Sequence, residues 1–285
     1  MQKYRFWEIA YKDSKDSKYK IIKNPDWAWA ADPFLVEYQG DIYLFAELFL
    51  YKTERNAVLG YCKYSNGTFG EWTVTMDKHW HLSYPNVFVL ENKLYMCPET
   101  NQMEEIALYE LEAFPDKWKK VKVIKMNGNY VDSTFIKVNK DLYMFTYDIT
   151  DFNNKKLILC KMSSDYTILE EKEISGDDTL ARPGGNFIID GEDIIRVSQD
   201  CDGEYGKGLV FCKVDEIWPQ YREHVIKRKY AKDFVPDCSR KYIGVHTYNK
   251  LNGIEVIDLK YLQYSLKTCN AIRRTHKVFL NKFRK

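Results

Sequence analysis

The chain has 285 residues, of which 45% are hydrophobic and 15% aromatic, and it carries a formal net charge of +2. This composition provides a core rich in strand-forming Tyr and Phe side chains, and no apolar run approaches the ~20 residues of a membrane span. The seven cysteines include no Cys-x-x-Cys pair, which argues against a disulfide framework or a zinc site and favours a cytoplasmic protein with reduced thiols.

A short pattern recurs along the chain: a polar residue beside a proline or small residue, an apolar strand, a tight turn and an aromatic-rich strand. Its four copies begin at Ala31-Asp32-Pro33, Ser83-Tyr84-Pro85, Val131-Asp132-Ser133 and Ala181-Arg182-Pro183. A degenerate fifth copy begins at Gly244-Val245-His246. The period of roughly 50 residues is typical of the blades of a β-propeller. The pattern therefore predicts an all-β fold, a five-bladed β-propeller over residues 1–258.

Between successive copies, further apolar segments predict the outer strands of each blade. They cover residues 58–64 and 72–74, 106–111 and 121–125, 157–162 and 167–169, and 209–214. Four strands per repeat, innermost first, is the arrangement that a propeller blade requires. The longer interval before the fifth copy contains a basic stretch, Arg222 to Lys232, which is either a solvated loop or a contact for an anionic ligand.

Equivalent turns of different blades converge on the propeller axis, so the polar residue that opens each copy is a candidate for one shared pocket. These residues are Asp32, Tyr84, Asp132, Arg182 and His246. Three further candidates lie on the second strand of a repeat, namely Glu47, Glu99 and Arg196.

The ordered signals Ala-Asp-Pro, Tyr-Pro, Val-Asp-Ser, Arg-Pro-Gly and Gly-Val-His resemble those of the five-bladed propellers of glycoside hydrolase family 43 and its relatives. More closely, they resemble the propeller-type N-terminal region of glucosamine inositolphosphorylceramide transferases and its stand-alone bacterial relatives. The resemblance covers residues 25–258. It implies a five-bladed propeller that acts on carbohydrate.

The resemblance to the hydrolases also implies roles for individual residues. Asp32 falls where that family has its general base in blade one, and Asp132 where it has the blade-three carboxylate that tunes and orients the acid. His246 falls near the blade-five histidine under the pocket floor. Blade four departs from the pattern, because the hydrolases carry Glu-Gly-Pro with the glutamate as general acid, and this chain has Arg182-Pro183-Gly184.

An arginine in this position changes the expected chemistry. Arg182 stays protonated at any accessible pH and cannot donate a proton to a leaving oxygen. Hydrolysis by paired carboxylates needs such an acid across the bond from the base. A hydrolase would therefore require a relocated acid, for which Glu47, Glu99 and Glu204 are candidates.

The same arginine suits an anionic substrate, because its planar fork binds phosphate or carboxylate in a bidentate manner. Arg182, with Arg196 and His246, would hold a sugar phosphate, diphosphate or acidic sugar. Asp32 or Asp132 would then deprotonate an acceptor hydroxyl. This is the layout of a transferase whose activated leaving group needs charge stabilisation rather than a proton.

Each of these residues also has a structural interpretation. Asp32 and Asp132 are candidates for turn residues that bond their own backbone. Arg182 is a candidate for a clamp between blades, and His246 for a core histidine with satisfied hydrogen bonds. The two glutamates that close inner hairpins face either the pocket or the rim.

The C-terminal segment, residues 259–285, differs in charge from the rest of the chain. From Lys260 to Lys285 it contains eight basic residues and no acidic residue, so it contributes +8 and leaves −6 for the preceding residues. At ~100° per residue, most of its apolar side chains fall on one face of a helix. We predict a basic amphipathic helix, which either binds an anionic membrane surface or docks on the propeller.

Together these observations predict a carbohydrate-active enzyme, a sugar transferase in the assembly of a bacterial surface glycan of the capsule or lipopolysaccharide type. Its substrate is expected to be phosphorylated, nucleotide-activated or acidic, and its place the cytoplasm beside the inner face of the plasma membrane. We expect no cofactor, no metal ion and no nucleic-acid partner. The alternatives are a family 43-like glycoside hydrolase with a relocated acid and a non-catalytic glycan-binding propeller.

Overall fold

The structure of the protein, a computed structural model, describes residues 3–51 and 57–264 and is built almost entirely of strands. The chain opens with β1 (Lys3–Lys12) and β2 (Lys20–Ile21). Next come β3 (Ala28–Tyr38), β4 (Asp41–Leu50), β5 (Ala57–Ser65), β6 (Thr68–Phe69), β7 (Thr73–Met76), β8 (Ser83–Leu90), β9 (Lys93–Thr100), β10 (Glu105–Ala113) and β11 (Lys117–Met126). They are followed by β12 (Tyr130–Val138), β13 (Asp141–Asp148), β14 (Lys156–Met162), β15 (Ile168–Ser175), β16 (Ile188–Asp190), β17 (Asp193–Asp200), β18 (Gly208–Glu216) and β19 (Arg222–Lys229). The last strands are β20 (Tyr242–Gly244), β21 (Tyr248–Leu251) and β22 (Ile254–Tyr264).

The described strands form five antiparallel sheets, one for each predicted repeat, and so confirm the five-bladed β-propeller. Blade one contains β3 to β7, and blades two, three and four contain β8 to β11, β12 to β15 and β16 to β19. Blade five contains β20 to β22 together with β1 and β2. The described helical segments are short, a 3-10 helix at Asn101–Met103 and α1 at Ala231–Phe234. Among the described residues, no helix has the length and apolar character needed to cross a membrane.

The N-terminal strand closes the ring, a feature that the repeat pattern did not predict. β1 pairs with β22 along its whole length, from Lys3 opposite Tyr264 to Lys12 opposite Glu255. The first residues of the chain therefore supply an outer strand of the last blade. This pairing ties the two ends of the propeller together with backbone hydrogen bonds.

The predicted C-terminal helix is wrong for its first six residues. Leu259 to Tyr264 continue β22, and they pair with β1 instead of beginning a helix. The segment also fits the period of two of a strand, and the free edge of β1 supplies a partner that a helix would leave unpaired. Residues 265–285, where the rest of the predicted helix falls, lie outside the described residues.

The basic stretch before the fifth repeat is a strand rather than a loop over most of its length. β19 pairs with β18 as the outermost strand of blade four. Two of its arginines form ion pairs, Arg222 with Glu216 at 2.9 Å and Arg228 with Asp200 at 3.6 Å. The outer strand of blade four was thus missed because its charged residues obscure the strand period.

Adjacent blades pack through large apolar side chains. Phe34 and Phe45 of blade one are fully buried against Tyr84 and Leu94 of blade two. The ring of Phe34 meets that of Tyr84 edge-on, with centroids 4.7 Å apart. Burial of each such side chain contributes about 1.5–3 kcal/mol. These contacts fix the blades around the axis and thereby fix the side chains that face it.

The inner strands of blades one, two and three share a bulge at one position. The register shifts between Ala31 and Phe34, between Ser83 and Asn86, and between Val131 and Thr134. Inside the three bulges, φ is positive at Asp32 (51°), Tyr84 (42°) and Asp132 (54°). Left-handed φ is uncommon for residues other than glycine, and bulges redirect a side chain from the sheet. The polar residue that opens each of these repeats is therefore turned out of the regular ladder.

Three asparagines link the five blades, the buried Asn86 and Asn249 and the half-buried Asn186, and we call them the amide belt. Asn86 Nδ2 donates to Asn186 Oδ1 at 2.7 Å, and Asn186 N donates to Asn249 Oδ1 at 2.9 Å. Asn249 Nδ2 donates to the Pro33 carbonyl at 2.5 Å, and Asn86 Oδ1 accepts from Phe135 N at 3.4 Å. These bonds join blades two, four, five, one and three.

Candidate functional site

The repeat supplies a second side chain near the axis from the second strand of each blade. Glu47 lies opposite Ala31, Glu99 opposite Ser83 and Tyr147 opposite Val131 in their ladders. In blade four Gln199 N donates to the Arg182 carbonyl at 2.8 Å, and in blade five Asp258 N donates to the Thr247 carbonyl at 3.4 Å. The second-strand residues are thus Glu47, Glu99, Tyr147, Gln199 and Asp258. Together with the residues that open the five repeats, Asp32, Tyr84, Asp132, Arg182 and His246, they form what we call the axial cluster.

Asp32 lies at the centre of this cluster and is 5% exposed. Its Oδ2 accepts from Tyr84 N at 3.1 Å, and its Oδ1 accepts from Thr247 Oγ1 at 2.9 Å. Burial raises the pKa of Asp32 to about 6, and the carboxylates of Asp258 and Asp132 add to the rise, whereas His246 opposes it. A carboxylate with a pKa near 6 is suited to accept a proton at neutral pH.

His246 is a buried histidine in contact with two carboxylates. Its Nδ1 lies 2.5 Å from Asp258 Oδ2 and 3.6 Å from Asp32 Oδ1, and its ring stacks on Trp7 with centroids 4.0 Å apart. Burial alone would lower the pKa of His246, but the Asp258 and Asp32 carboxylates outweigh it and raise the pKa. The protonated form of His246 stabilises the ionised form of Asp32.

The same three residues are the group best placed to hold a metal ion among residues 3–51 and 57–264. Asp32, His246 and Asp258 offer ligand atoms that all lie within 4.8 Å of one another. A histidine must be neutral to bind a metal, and the raised pKa of His246 favours its protonated form. The arrangement therefore fits an ion-pair network better than a metal centre.

Asp132 and Arg182 form the second half of the cluster. Arg182 Nε donates to Asp132 Oδ2, which also accepts from Gln199 Nε2 at 3.0 Å. Burial would lower the pKa of Arg182, but Asp132 outweighs it and keeps the pKa well above its usual value. The Arg182 side chain is 20% exposed, and its guanidinium carbon lies 4.8 Å from the centre of the Tyr205 ring. Arg182 and Tyr205 are accessible to solvent on one side of the cluster, and we call this side the mouth.

Two glutamates supply proton donors beside these charges. Burial, together with Asp32 and Glu99, raises the pKa of Glu47 well above its usual value. Burial and the neighbouring Asp132 likewise raise the pKa of Glu99, which shares a hydrogen bond with Asp132. Both side chains therefore keep their protons to a higher pH than an ordinary glutamate does. Glu204 differs, because it pairs with Lys260 at 3.1 Å.

His81 is a residue of the cluster that the sequence did not assign to it. Its Nε2 lies 3.5 Å from Glu47 Oε1, and its backbone N donates to Gln102 Oε1 at 3.1 Å. Burial lowers the pKa of His81 to about 4. The lowered pKa of His81 and the raised pKa of Glu47 both disfavour an ion pair at this contact.

Tyr84 lies at the axis, but its hydroxyl serves the scaffold. Tyr84 is fully buried, and its hydroxyl bonds Thr134 Oγ1 at 2.8 Å and accepts from Gly185 N at 2.8 Å. These bonds connect blade two to blades three and four. The structure thus places Tyr84 among the predicted residues while giving its polar atom structural partners.

Arg196 is the one predicted site residue that the structure does not bring to the cluster. Its guanidinium forms an ion pair with Glu223 at 2.5 Å and donates to the Leu180 carbonyl at 2.8 Å. Arg196 lies three residues before Gln199 on β17, so the alternation of a strand puts it on the opposite face of the sheet. Arg196 therefore links β17 to β19 and to the loop that precedes β16.

Asp258, Gln199 and Tyr205 are site residues that sequence reasoning missed. Asp258 interrupts the apolar run Val256–Leu259, and an isolated carboxylate inside a buried strand is a usable signal. Gln199 occupies the same repeat position as Glu47 and Glu99, which an alignment of the second strands would have shown. Tyr205 comes from a loop outside the repeat, where no periodic signal exists.

A family model described as "Glucosamine inositolphosphorylceramide transferase 1, N-terminal" matches residues 21–247 of the chain. Among curated proteins, the chain is 30% identical over 205 residues to glucosamine inositolphosphorylceramide transferase 1 of Oryza sativa subsp. indica. It is 32% identical over 208 residues to the protein of that name from Arabidopsis thaliana. Each match covers 68% of this chain but only 27% and 26% of the respective relative, so the chain corresponds to about a quarter of their length.

Solved structures with the same fold include glycoside hydrolases. The catalytic domain of a GH62 α-L-arabinofuranosidase from Coprinopsis cinerea superposes with a TM-score of 0.60 at 13% identity, covering 88% of this chain and 97% of that one. A thermostable family-43 glycoside hydrolase superposes with a TM-score of 0.58 at 13% identity, covering 84% and 91%. At this level of identity, the likeness shows the fold alone.

Proposed function

Because the chain belongs to the family defined by the N-terminal region of glucosamine inositolphosphorylceramide transferase 1, we propose that it is a carbohydrate-active enzyme of the transferase type. The axial cluster would bind the sugar. One observation carries the proposal: Arg182, held by Asp132, occupies the blade-four position of the axial cluster. The cluster thus combines a base with a fixed cation.

Asp32 is the group best suited to activate the acceptor. Its pKa of about 6 leaves it largely ionised at neutral pH while keeping it basic enough to accept a proton. Asp132 is less suited, because it is held in an ion pair with Arg182 and its side chain is 3% exposed, against 8% for Asp32. In the proposed step the acceptor hydroxyl gives its proton to Asp32, and its oxygen forms a bond to the anomeric carbon.

Arg182 is the group best suited to stabilise the leaving group. When the anomeric carbon–oxygen bond of an activated sugar breaks, the electron pair leaves with the phosphate oxygen and negative charge develops there. Among the described residues, the hydrogen bonds of Arg182 involve only Nε, which leaves the terminal nitrogens for a ligand. Preorganised charge of this kind acts strongly in a site of low dielectric constant.

The substrate is proposed to be a phosphorylated, nucleotide-activated or acidic sugar. The names of the plant relatives combine glucosamine with inositolphosphorylceramide, an amino sugar and a phosphate-bearing head group. An arginine fork matches phosphate, and the carboxyl groups of Glu47 and Glu99 can donate hydrogen bonds to sugar oxygens when they are protonated.

The raised pKa values of these two glutamates also favour a second candidate, a glycoside hydrolase with a relocated acid. Either carboxylic acid could protonate a leaving oxygen across the bond from Asp32. The two reactions differ in their product, because hydrolysis releases free sugar and transfer yields a new glycoside.

The test is a product analysis of the purified full chain with a panel of nucleotide sugars and sugar acceptors. We expect a glycoside product that depends on Asp32, so Asp32→Asn should abolish it while Asp190→Asn, a change at an exposed aspartate, should not. Release of free sugar from a neutral glycoside would favour the hydrolase. Equal turnover by wild type and Asp32→Asn would contradict both reactions and support a glycan-binding propeller.

We also propose a setting for this activity, the assembly of a bacterial surface glycan beside the inner face of the plasma membrane. Support comes from the basic C-terminal segment, although Lys260 must now be removed from it because this residue is buried in β22. The segment after Tyr264 should bring the protein to vesicles that contain anionic lipid, and less so as salt rises. Deletion of residues 265–285 should abolish this binding and leave the propeller folded. Unchanged vesicle binding after the deletion would contradict the membrane role.

A further inference from the structure

The loop that joins β17 to β18 at the mouth has an unusual construction. Gly203 and Gly206, with φ of 74° and 64°, flank Glu204 and Tyr205. Positive φ is accessible to glycine at little cost, so the two glycines allow the loop to turn back over the axial cluster. The loop thereby presents Tyr205 at the mouth.

This loop is fitted closely against blade five. The Gly206 carbonyl accepts from Val245 N at 3.0 Å. A Cβ added at Gly244 would lie 2.0 Å from the Gly206 carbonyl oxygen, and one added at Gly206 would lie 2.7 Å from the Trp7 ring. No side chain fits at either position, so the backbone of the loop is held in one place.

Lys260 is the buried charge that anchors the loop. Its Nζ donates to the Tyr205 carbonyl at 2.5 Å and to Glu204 Oε1 at 3.1 Å, while its side chain is only 1% exposed. The Nζ also lies 5.7 Å from the centre of the Trp7 ring. A buried ammonium group is costly unless it is paired, so these partners account for its position. Neither Asp32 nor Arg182 is among them.

The ring of Tyr205 is only partly used by these contacts. It lies 4.8 Å from the Arg182 guanidinium carbon and meets the His246 ring edge-on at 5.2 Å. The residue nevertheless remains 43% exposed. An aromatic surface is therefore open directly beside the cation that the proposed function assigns to the leaving group.

We propose that Tyr205 is a stacking platform for the sugar ring of the substrate, and that Lys260 is the positioning residue that fixes this platform beside Arg182. The apolar face of a pyranose packs on the open side of the Tyr205 ring, and an anionic substituent of that sugar reaches Arg182. The platform selects for ring shape, and the arginine selects for charge. This inference rests on the proposed function, since it names a further residue of the same site.

Binding of two probes distinguishes the two contributions. Glucose 1-phosphate carries the anion, and methyl α-glucoside has the ring without it. Tyr205→Ala should weaken both probes by about tenfold, near the upper range for an aromatic contact. Tyr205→Phe, the matched control, should bind as wild type because stacking needs the ring and not the hydroxyl. Isothermal titration calorimetry supplies the affinities.

The role of Lys260 is tested by a double-mutant cycle. Lys260→Met keeps the length of the side chain but removes both hydrogen bonds to the loop, so it should weaken both probes and raise amide hydrogen exchange in residues 201–207. Added to Tyr205→Ala, it should cause no further loss of affinity, because its effect acts through that ring. A further loss in the double variant would show a general structural role and overturn the positioning assignment.

The outcomes separate this inference from the proposed function. If Arg182→Lys weakens glucose 1-phosphate while Tyr205→Ala changes neither probe, the platform is wrong and the anion site remains. If neither variant changes binding, or if wild type binds neither probe, both proposals fail. Because Tyr205 is exposed, Tyr205→Ala should fold even where Lys260→Met does not, and it decides the platform by itself.

Discussion

The axial cluster and the amide belt lie near the same axis, but their side chains are in opposite states. In the cluster, Asp32 and Glu47 are buried and Glu99 is half-buried, and the pKa values of all three are raised by desolvation and by neighbouring carboxylates. In the belt, Asn86 and Asn249 are neutral amides that are almost fully buried and hydrogen-bonded to other blades. The difference indicates a division of labour, in which satisfied amides hold the blades together and allow the acids to stay poised for chemistry.

The largest effect on turnover should come from a substitution at Asp32. Asp32→Asn should lower turnover by about 10²- to 10⁴-fold, the usual contribution of a general base. The folded-state pKa of Asp32, about 6, lies above the ordinary value of 3.8. The free energy of unfolding of wild type should therefore fall as pH rises from about 4 to about 6, because Asp32 must ionise in a buried site. The variant should lack that loss, and its thermal midpoint at pH 7 should be no lower than that of wild type. Unchanged turnover would remove Asp32 from the mechanism.

A substitution in the amide belt should lower the stability of the protein and leave its turnover unchanged. Asn249→Ala leaves the Pro33 carbonyl and the Asn186 amide without their partners, at a cost of about 1–3 kcal/mol for each buried group. The free energy of unfolding in urea should fall by that order, while turnover per folded molecule should stay near wild type. Asn154→Ala, at an exposed loop position, is the matched control. Lost turnover with unchanged stability would place the belt in the active site.

Arg182 sharpens the comparison, because it belongs to the cluster but also clamps blade three. Arg182→Lys keeps the charge beside Asp132 but loses the bidentate fork, so binding of a phosphorylated sugar should weaken by about tenfold or more. A neutral sugar should bind as before. Arg222→Lys, at an exposed arginine, should change neither affinity. Equal weakening of both sugars by Arg182→Lys would mean that the arginine is only structural.

The smallest expected effect is a shift in pH dependence. His246 lowers the pKa of Asp32, so His246→Gln should raise that pKa and move the acid limb of kcat/KM from about pH 6 to higher pH. The acid limb is the range in which activity falls because the base becomes protonated. His224→Gln, at an exposed histidine, should leave the limb in place. A shift to lower pH would show that Asp32 is not the group that titrates.

The repeat made the fold and the centre of the site predictable from sequence. Asp32, Asp132, Arg182 and His246 occupy equivalent turns, and equivalent turns of a propeller meet at its axis. Glu47 followed from the same register on the second strand. Periodicity was sufficient here because each residue inherits its position from the blade.

What the sequence could not predict depends on contacts outside the repeat. The strand at Leu259–Tyr264 exists because β1 offers it an edge, a partner more than 200 residues away in the chain. Arg196 shares a strand with Gln199, but only the side of the sheet decides that it pairs with Glu223. Tyr205 reaches the mouth through a loop whose position Lys260 fixes from another blade.

The three bulges on the inner strands have a further consequence. Their left-handed residue is an aspartate in blades one and three but a tyrosine in blade two, at nearly the same φ. The backbone therefore accepts side chains of different size and charge, and the direction of each side chain is set by the bulge and not by its chemistry. The bulge position of each blade therefore tolerates different side chains. The residues at the axis can change one at a time while the backbone of the propeller stays the same.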